Sequence, residues 1–153
     1  MSETRIDYYK LFPEGIKALV ALGKVINNSG LEQSLLELIK LRSSQINGCA
    51  YCIDMHSKDA LAMGETTQRL FGLSVWSETP FFTPRERAAI QWTEAITTIQ
   101  DGHASDAAYK EVRAHFDETE TVKLTFAITQ INTWNRLALA FRPPVGNYIS
   151  PQK

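Results

Sequence analysis

The chain contains only two cysteines, which stand three residues apart with a histidine four residues beyond them. At about 100° per residue in a helix, Cys52 lies roughly 60° and His56 roughly 20° from Cys49, so the three side chains share one face. The α-carbons of the two cysteines would lie about 5 Å apart, within the span of a disulfide. Because such a disulfide closes almost no loop, it adds little to stability. The spacing therefore indicates a redox function.

Two features of this segment would make a cysteine reactive, and they favour different cysteines. A thiol reacts as its thiolate, and both a helix N-terminus and a neighbouring base lower the pKa of a thiol. Cys49 lies in the first turn of the predicted helix, where free amide hydrogens favour an anion. Cys52 lies one turn before His56, which is the better position for a base. The residues alone leave the identity of the nucleophile open.

A carboxylate twelve residues before the first cysteine could complete this group. In one continuous helix, Glu37 would lie about 18 Å from Cys49. However, Asn47-Gly48 interrupts the helix and allows the preceding segment to fold back. Glu37 beside His56 would orient the imidazole and form a proton relay. A glutamate on an amphipathic helix otherwise faces solvent, so this placement depends on the turn.

Two other interpretations of the same residues stand beside this one. Free cysteines are often small buried hydrophobic residues. Cys49, Cys52 and His56 could also bind a metal with a carboxylate or water as fourth ligand, but structural zinc sites seldom take three ligands from one helix. Ile53 stands where a c-type haem motif requires histidine. We therefore predict neither a metal nor an organic cofactor, and we expect the other histidines, His103 and His115, on the surface.

The elements that position these residues are predicted to be helices. Apolar residues recur at three- and four-residue spacings, and no segment alternates as a strand would. We predict an all-α fold, a single-domain bundle of about six or seven helices. The predicted helices run from Pro13 to about Asn27, Leu31 to Ile46, Cys49 to Met63, Thr67 to Val75, Pro84 to about Gln100, Ser105 to Phe116 and Glu118 to Phe141.

Two of these helices begin with a clear capping sequence. Thr83 can cap its helix, Pro84 suits the first turn, and Glu86 completes a capping box. Asp117 and Glu120 form the same arrangement before the last helix. Both helix starts are therefore predicted from local chemistry.

The last helix has apolar side chains pointing to nearly every side. A monomer of this size buries such a helix with difficulty, so we predict that a subunit interface covers part of it. The alternative is a central helix wrapped by its own chain. The apolar residues are Val122, Leu124, Phe126, Ile128, Ile131, Trp134, Leu137, Leu139 and Phe141.

Length and charge exclude several classes of protein. A chain of 153 residues fits one domain spanning 1–153, with the proline-containing residues 142–153 as a tail. A formal net charge of -1 gives no reason to expect nucleic acid or an anionic membrane as partner. The N-terminus has no signal-peptide pattern, and Val122 to Phe141 is too polar to span a bilayer. We expect a cytoplasmic protein.

Glu37, Cys49, Cys52 and His56 together resemble a known motif, a glutamate twelve residues before Cys-x-x-Cys-x-x-x-His. This is the pattern of the AhpD-like alkylhydroperoxidases of the carboxymuconolactone decarboxylase superfamily. The similarity covers most of the chain and extends through residues 38–42, 47–49, 83–87 and 131–136.

The resemblance implies an all-helical subunit in a homo-oligomer, commonly a trimer or hexamer, and a peroxidase chemistry without haem, flavin or metal. Cys52 would attack the hydroperoxide and become a sulfenic acid, and Cys49 would condense with it to give the disulfide. Glu37 and His56, with a water, would remove the thiol proton. An external dithiol reductant, a lipoyl group or a thioredoxin-like protein, would restore the pair. Some members carry a second histidine between the cysteines, where this chain has Tyr51.

Two other functions fit the sequence. A non-catalytic redox sensor would use the disulfide to switch an interface without turnover. A lyase of the decarboxylase branch would act on a small cyclic acid and would not need the thiols. We predict the peroxidase because Glu37, His56 and the two cysteines match its motif together.

Overall fold

The computed structural model describes residues 3–151, and in that range it contains eight α-helices, one 3-10 helix and no strand. The all-α prediction is confirmed. The α-helices are α1 (Tyr8–Leu11), α2 (Pro13–Asn27), α3 (Gln33–Asn47), α4 (Ala50–Ala62), α5 (Thr67–Gly72), α6 (Pro84–Thr97), α7 (Asp106–His115) and α8 (Glu118–Phe141), and the 3-10 helix spans Leu73–Glu78 between α5 and α6.

The structure differs from the prediction of six or seven helices at short elements and helix ends. Helix α1 is a single turn of four residues, too short to show a periodic pattern. The predicted helix from Thr67 to Val75 ends at Gly72 and continues as a 3-10 helix, in which Val75 leaves helical geometry. Leu31 is buried but precedes α3.

Both predicted capping boxes are confirmed. The Thr83 hydroxyl accepts a hydrogen bond from the Glu86 amide at 3.2 Å, and the Glu86 carboxylate accepts one from the Thr83 amide at 2.8 Å. Asp117 and Glu120 make the equivalent pair at 2.8 and 3.1 Å. Each box satisfies two amide groups that the helix itself leaves free.

Helix α3 lies at the centre of the fold and packs against α4, α6 and α8. Leu36, Leu38 and Ile39 are fully buried, with Leu36 and Ile39 in one apolar cluster and Leu38 in a second. Glu37 and Lys40, on the same helix, are buried as well. Burying charged groups on a central helix is costly unless they are paired, as Glu37 and Lys40 are with each other.

The turn between α3 and α4 sets the position of the two cysteines. Gly48 has a φ of 69°, a left-handed conformation that glycine adopts at low cost. The Cys49 amide donates to the Ser44 carbonyl at 2.9 Å, and α4 begins at the next residue. The predicted interruption at Asn47-Gly48 is therefore confirmed.

A buried network of side-chain amides fixes this turn to α8. The Asn47 amide nitrogen donates to the side-chain oxygens of Asn132 at 2.9 Å and Asn135 at 2.8 Å. The Asn135 amide nitrogen donates to the Ser44 hydroxyl at 3.0 Å, and Ser44 donates to the Lys40 carbonyl at 2.7 Å. Asn135 is fully buried, so its polar groups depend on these partners.

Replacing Asn135 with alanine is expected to lower the free energy of unfolding by about 2 kcal/mol, because Asn47 and Ser44 each lose a buried hydrogen-bond partner. Urea denaturation of the wild type and the variant measures this. The matched control is Asn147→Ala, an exposed asparagine in the C-terminal segment, whose effect should stay within about 0.5 kcal/mol. Equal losses in the two variants would contradict the network's role.

Helix α8 is buried on one side only. Leu124, Ile128 and Ile131 are in the protein interior, whereas Val122 and Phe126 are each more than half exposed. Residues 3–151 therefore do not wrap α8 on all sides. A subunit interface over its exposed side stays a prediction.

The segment after α8 has no regular secondary structure through residue 151 and lies against α4. Lys58 donates to the Tyr148 carbonyl at 2.9 Å. The Asp59 carboxylate accepts hydrogen bonds from the hydroxyls of Tyr148 at 2.8 Å and Ser150 at 2.6 Å. This segment is thus held against the helix that carries the cysteines.

Within residues 3–151, no helix combines the length and the apolar character that crossing a bilayer requires.

Candidate active site

Cys49 and Cys52 lie at the start of α4 and are joined as a disulfide. Their α-carbons are 5.4 Å apart, as the helical spacing predicted. Both residues are buried and form one apolar cluster with Ala138 of α8, against which the half-buried Tyr51 packs.

Cys49 is the N-cap of α4, and its sulfur accepts a hydrogen bond from the Cys52 amide at 3.4 Å. The first amides of a helix have no partner within the helix and carry the positive end of its dipole. A negative charge on Cys49 is therefore stabilised here when the pair is reduced. This matches the expectation that the helix start favours an anion on Cys49.

Glu37 and His56 meet across the α3–α4 turn. Oε2 of Glu37 lies 2.7 Å from Nδ1 of His56, and both side chains are buried. The predicted fold-back is confirmed, because these residues are nineteen positions apart in the chain. His56 lies one helical turn after Cys52 on α4. The α3–α4 connection therefore places the imidazole between the Glu37 carboxylate and the Cys52 sulfur.

Lys40 belongs to this group, and the sequence reasoning missed it. Its Nζ donates to Oε1 of Glu37 at 2.8 Å and lies 3.4 Å from the Asn27 side-chain oxygen. The signal was present, because Lys40 follows Glu37 by three residues and such pairs share a helix face.

The Glu37 carboxyl is held in its ionised form. Burial raises the pKa of Glu37, but the hydrogen bond and charge of His56, together with Lys40, outweigh burial and lower the pKa to about 2. An ionised carboxylate can only accept hydrogen bonds, so Nδ1 of His56 carries a hydrogen. Nε2 of His56 is then the nitrogen that can take up a proton.

Because the pKa of Glu37 is lowered in the folded protein, part of the loss of folding stability in acid should come from this residue. Its pKa is about 2 in the folded protein against an ordinary 4.5, so the stabilisation is complete above pH 4.5 and is lost as the pH falls towards 2. We expect the wild type to lose about 3 kcal/mol more than Glu37→Gln over that range. Denaturant titrations at several pH values measure the difference, and parallel curves for the two proteins would contradict it.

A cavity of about 350 Å³ opens beside α4. Cys52 and His56 line it, together with Lys40, Met55 and Trp134. Cys49 is not among its lining residues, although it belongs to the same buried cluster as Cys52 and Ala138. Of the two cysteines, Cys52 is thus the one that a molecule in the cavity meets.

Three tyrosines border the cavity, and two come from the N-terminal segment. Tyr8 stacks on Tyr9 at 4.6 Å between ring centres and lies against Phe141 of α8 at 5.3 Å. Burial raises the pKa of Tyr51, and neighbouring Tyr9 adds to the effect. The Tyr51 phenol is therefore neutral near neutral pH and donates hydrogen bonds rather than acting as a base.

The similar segment 131–136 and the other two histidines occupy different surroundings. Trp134 lines the cavity, whereas Asn135 and Arg136 make hydrogen bonds within the fold. His103 is exposed, and His115 lies 3.6 Å from Glu111 on the surface of α7. Neither histidine joins the site.

Glu37, His56 and Asp59 place their ligand atoms within 4.8 Å of one another, the kind of spacing a metal requires. Lys40 and His56 already occupy both oxygens of Glu37. The Tyr148 hydroxyl contacts both oxygens of Asp59. This donor set fits a closed hydrogen-bond network better than a metal centre.

Comparison with known proteins gives consistent results. The profile of the carboxymuconolactone decarboxylase family matches residues 13–95. An uncharacterised Bacillus subtilis protein, YdfG, is 46% identical over 136 residues, which is 89% of this chain and 92% of that protein. Alkyl hydroperoxide reductase AhpD of Rhodopseudomonas palustris is 49% identical over 43 residues, 28% of this chain and 24% of that enzyme.

Among solved structures, a protein of unknown function from Agrobacterium tumefaciens superposes with a TM-score of 0.92 at 46% identity. The match covers 95% of this chain and 100% of that one. That protein has been provisionally linked to antioxidant defence as an AhpD.

Proposed function

This chain belongs to the carboxymuconolactone decarboxylase family, among its AhpD-like members, and from that premise we propose that it is a thiol peroxidase for hydrogen peroxide or alkyl hydroperoxides. The observation that carries the proposal is the placement of Cys52 at the cavity, one turn before a histidine held by a buried, ionised carboxylate. A base of this kind activates a nucleophilic thiol.

The first half of the proposed cycle oxidises Cys52. Nε2 of His56 takes the thiol proton, and Glu37 stabilises the resulting imidazolium. The Cys52 thiolate attacks the terminal peroxide oxygen, the oxygen–oxygen bond breaks, and the sulfur becomes a sulfenic acid. The departing alkoxide takes the proton back from His56 and leaves as an alcohol, or as water when the substrate is hydrogen peroxide.

The second half closes and reopens the disulfide. The Cys49 thiol, at the positive end of α4, attacks the sulfenic sulfur of Cys52 and gives its proton to the displaced hydroxide, which leaves as water. An external dithiol, a lipoyl group or a thioredoxin-like protein, then supplies two electrons and two protons and is itself oxidised to a disulfide. The disulfide in the structure corresponds to the state before this reduction.

We also propose that the working form is a homo-oligomer, a trimer or hexamer. The support is the half-exposed apolar side of α8, where Val122 and Phe126 lie beside Val25 of α2 around one surface depression. Apolar surface of this kind is a common feature of subunit interfaces.

Steady-state consumption of hydrogen peroxide and cumene hydroperoxide, with dihydrolipoamide as donor, tests the proposal. We expect repeated turnover per subunit. One oxidation per subunit without turnover would favour the redox sensor. Activity on a small cyclic acid that survives alkylation of both cysteines would favour the lyase. Either result overturns the peroxidase.

A further inference from the structure

The cavity at Cys52 is far larger than hydrogen peroxide needs. Its volume of about 350 Å³ falls in the range of sites for organic ligands. Much of its wall is apolar or aromatic, formed by Val20, Met55, Ile131 and Trp134 together with the three tyrosines. A substrate that fills it has an apolar body of considerable size.

The charged groups of the same cavity have one sign. Lys24 and Lys40 line it, and no aspartate or glutamate does among the residues that the structure describes. This is a local asymmetry, because the whole chain carries 16 basic and 17 acidic residues. Cationic groups in a partly enclosed apolar site favour an anion over a neutral molecule.

The two lysines are not equivalent. Lys40 forms an ion pair with Glu37 at 2.8 Å, which neutralises its charge. Lys24 has no carboxylate within ion-pairing distance anywhere in residues 3–151. It is therefore the positive charge in the cavity that is available to a ligand.

Helix α2 presents Lys24 to the cavity from a defined face. Val20, Lys24 and Asn27 follow one another at four- and three-residue spacings and all line the cavity. An apolar residue, a cation and an amide thus form one stripe along its wall. Lys17, on the same helix, is exposed and lies outside the cavity lining.

We propose that the cavity selects hydroperoxides that carry a carboxylate on an apolar body, such as fatty-acid hydroperoxides, and that Lys24 pairs with the carboxylate. The inference rests on the proposed peroxidase function and names its substrate class. The reaction is the one given above, with the organic hydroperoxide reduced to its hydroxy acid. Lys24 is a specificity residue and takes no part in proton transfer.

The test compares linoleic acid hydroperoxide with its methyl ester, at concentrations below micelle formation. The two share an apolar body and differ in charge. In the wild type we expect kcat/KM for the acid to exceed that for the ester by about fivefold, the contribution of one partly exposed ion pair. Lys24→Gln should reduce the ratio to about 1, and Lys24→Arg should retain it.

Lys17→Gln is the matched control, since it removes a lysine from the same helix outside the cavity. It should leave the ratio at the wild-type value. A wild-type ratio near 1, an unchanged ratio in Lys24→Gln, or an equal fall in Lys17→Gln would each overturn the assignment of Lys24.

Failure of the peroxidase proposal can be separated from failure of this one. If neither hydroperoxide is consumed, calorimetric binding of the corresponding hydroxy acid and its methyl ester decides the question. Tighter binding of the acid that disappears in Lys24→Gln supports the site, and equal binding of acid and ester overturns it.

Discussion

Replacing Cys52 with serine is expected to reduce steady-state peroxide turnover by at least about 10³-fold, because an alcohol oxygen, unlike a thiolate sulfur, cannot accept the peroxide oxygen and be oxidised to a sulfenic acid. Cys52 lines the cavity beside His56, and Cys49 is not among its lining residues. Cys49→Ser should also stop turnover with a dithiol donor, yet for a different reason. It retains the nucleophile and loses the partner that resolves the sulfenic acid.

The two serine variants are each other's matched controls. In Cys49→Ser, one equivalent of peroxide per subunit should leave a sulfenic acid on Cys52 that dimedone traps and mass spectrometry locates. Cys52→Ser should give no such adduct. Dimedone labelling of Cys49 in the Cys52→Ser protein, or full turnover in either variant, would show that the roles are reversed or that the dithiol is not used.

Glu37→Gln is expected to lower kcat/KM for hydroperoxide by about 10²-fold or more, the size of a general-base contribution. Glutamine keeps an oxygen that can accept from Nδ1 of His56 but loses the charge that stabilises the imidazolium. The variant should also be less stable by about 3 kcal/mol, since the buried Lys40 is left without its counter-charge. Stopped-flow kinetics and urea denaturation measure the two effects.

A second variant separates chemistry from folding. In Glu37→Gln/Lys40→Met no charge is left unpaired, so we expect most of the stability to return while the rate stays low. Glu94→Gln is the control for loss of an ion pair elsewhere, because Glu94 pairs with Arg42 at 2.7 Å and accepts from Trp76. Recovery of activity in the double variant would show that Glu37 acts only through stability.

Much of the site could be predicted because it depends on local geometry. Residues three and four positions apart in a helical segment lie close together whatever surrounds them, which is why Cys52 and His56 line one cavity and the α-carbons of Cys49 and Cys52 lie 5.4 Å apart. The approach of Glu37 to His56 depends on the single connection between α3 and α4, and Asn47-Gly48 is a recognisable sequence for such a connection.

The rest of the site depends on segments far apart in sequence. Tyr8 and Tyr9 reach the cavity because the N-terminal segment runs along the end of α8, where the Arg5 amide donates to the Phe141 carbonyl at 3.0 Å. A four-residue helix is too short to show a periodic pattern, so the sequence does not predict that contact. Lys24 likewise lines the cavity only because α2 packs on α8.

The helix start at Cys49 has a consequence for the energetics of the redox pair. In a thermodynamic cycle, the reduction potential of the folded chain differs from that of the unfolded chain only by the difference in stability between the two redox forms. A ring of four residues barely restricts the unfolded chain, so chain entropy contributes little to that difference. The difference in stability between the two redox forms must therefore come from the contacts of the two sulfurs in the folded chain. The amide that donates to the Cys49 sulfur favours a thiolate, and therefore the reduced form. The first turn of α4 thus sets how strongly oxidising the pair is, and by the same cycle it stabilises the reduced form of the folded chain over the oxidised form by the same free energy.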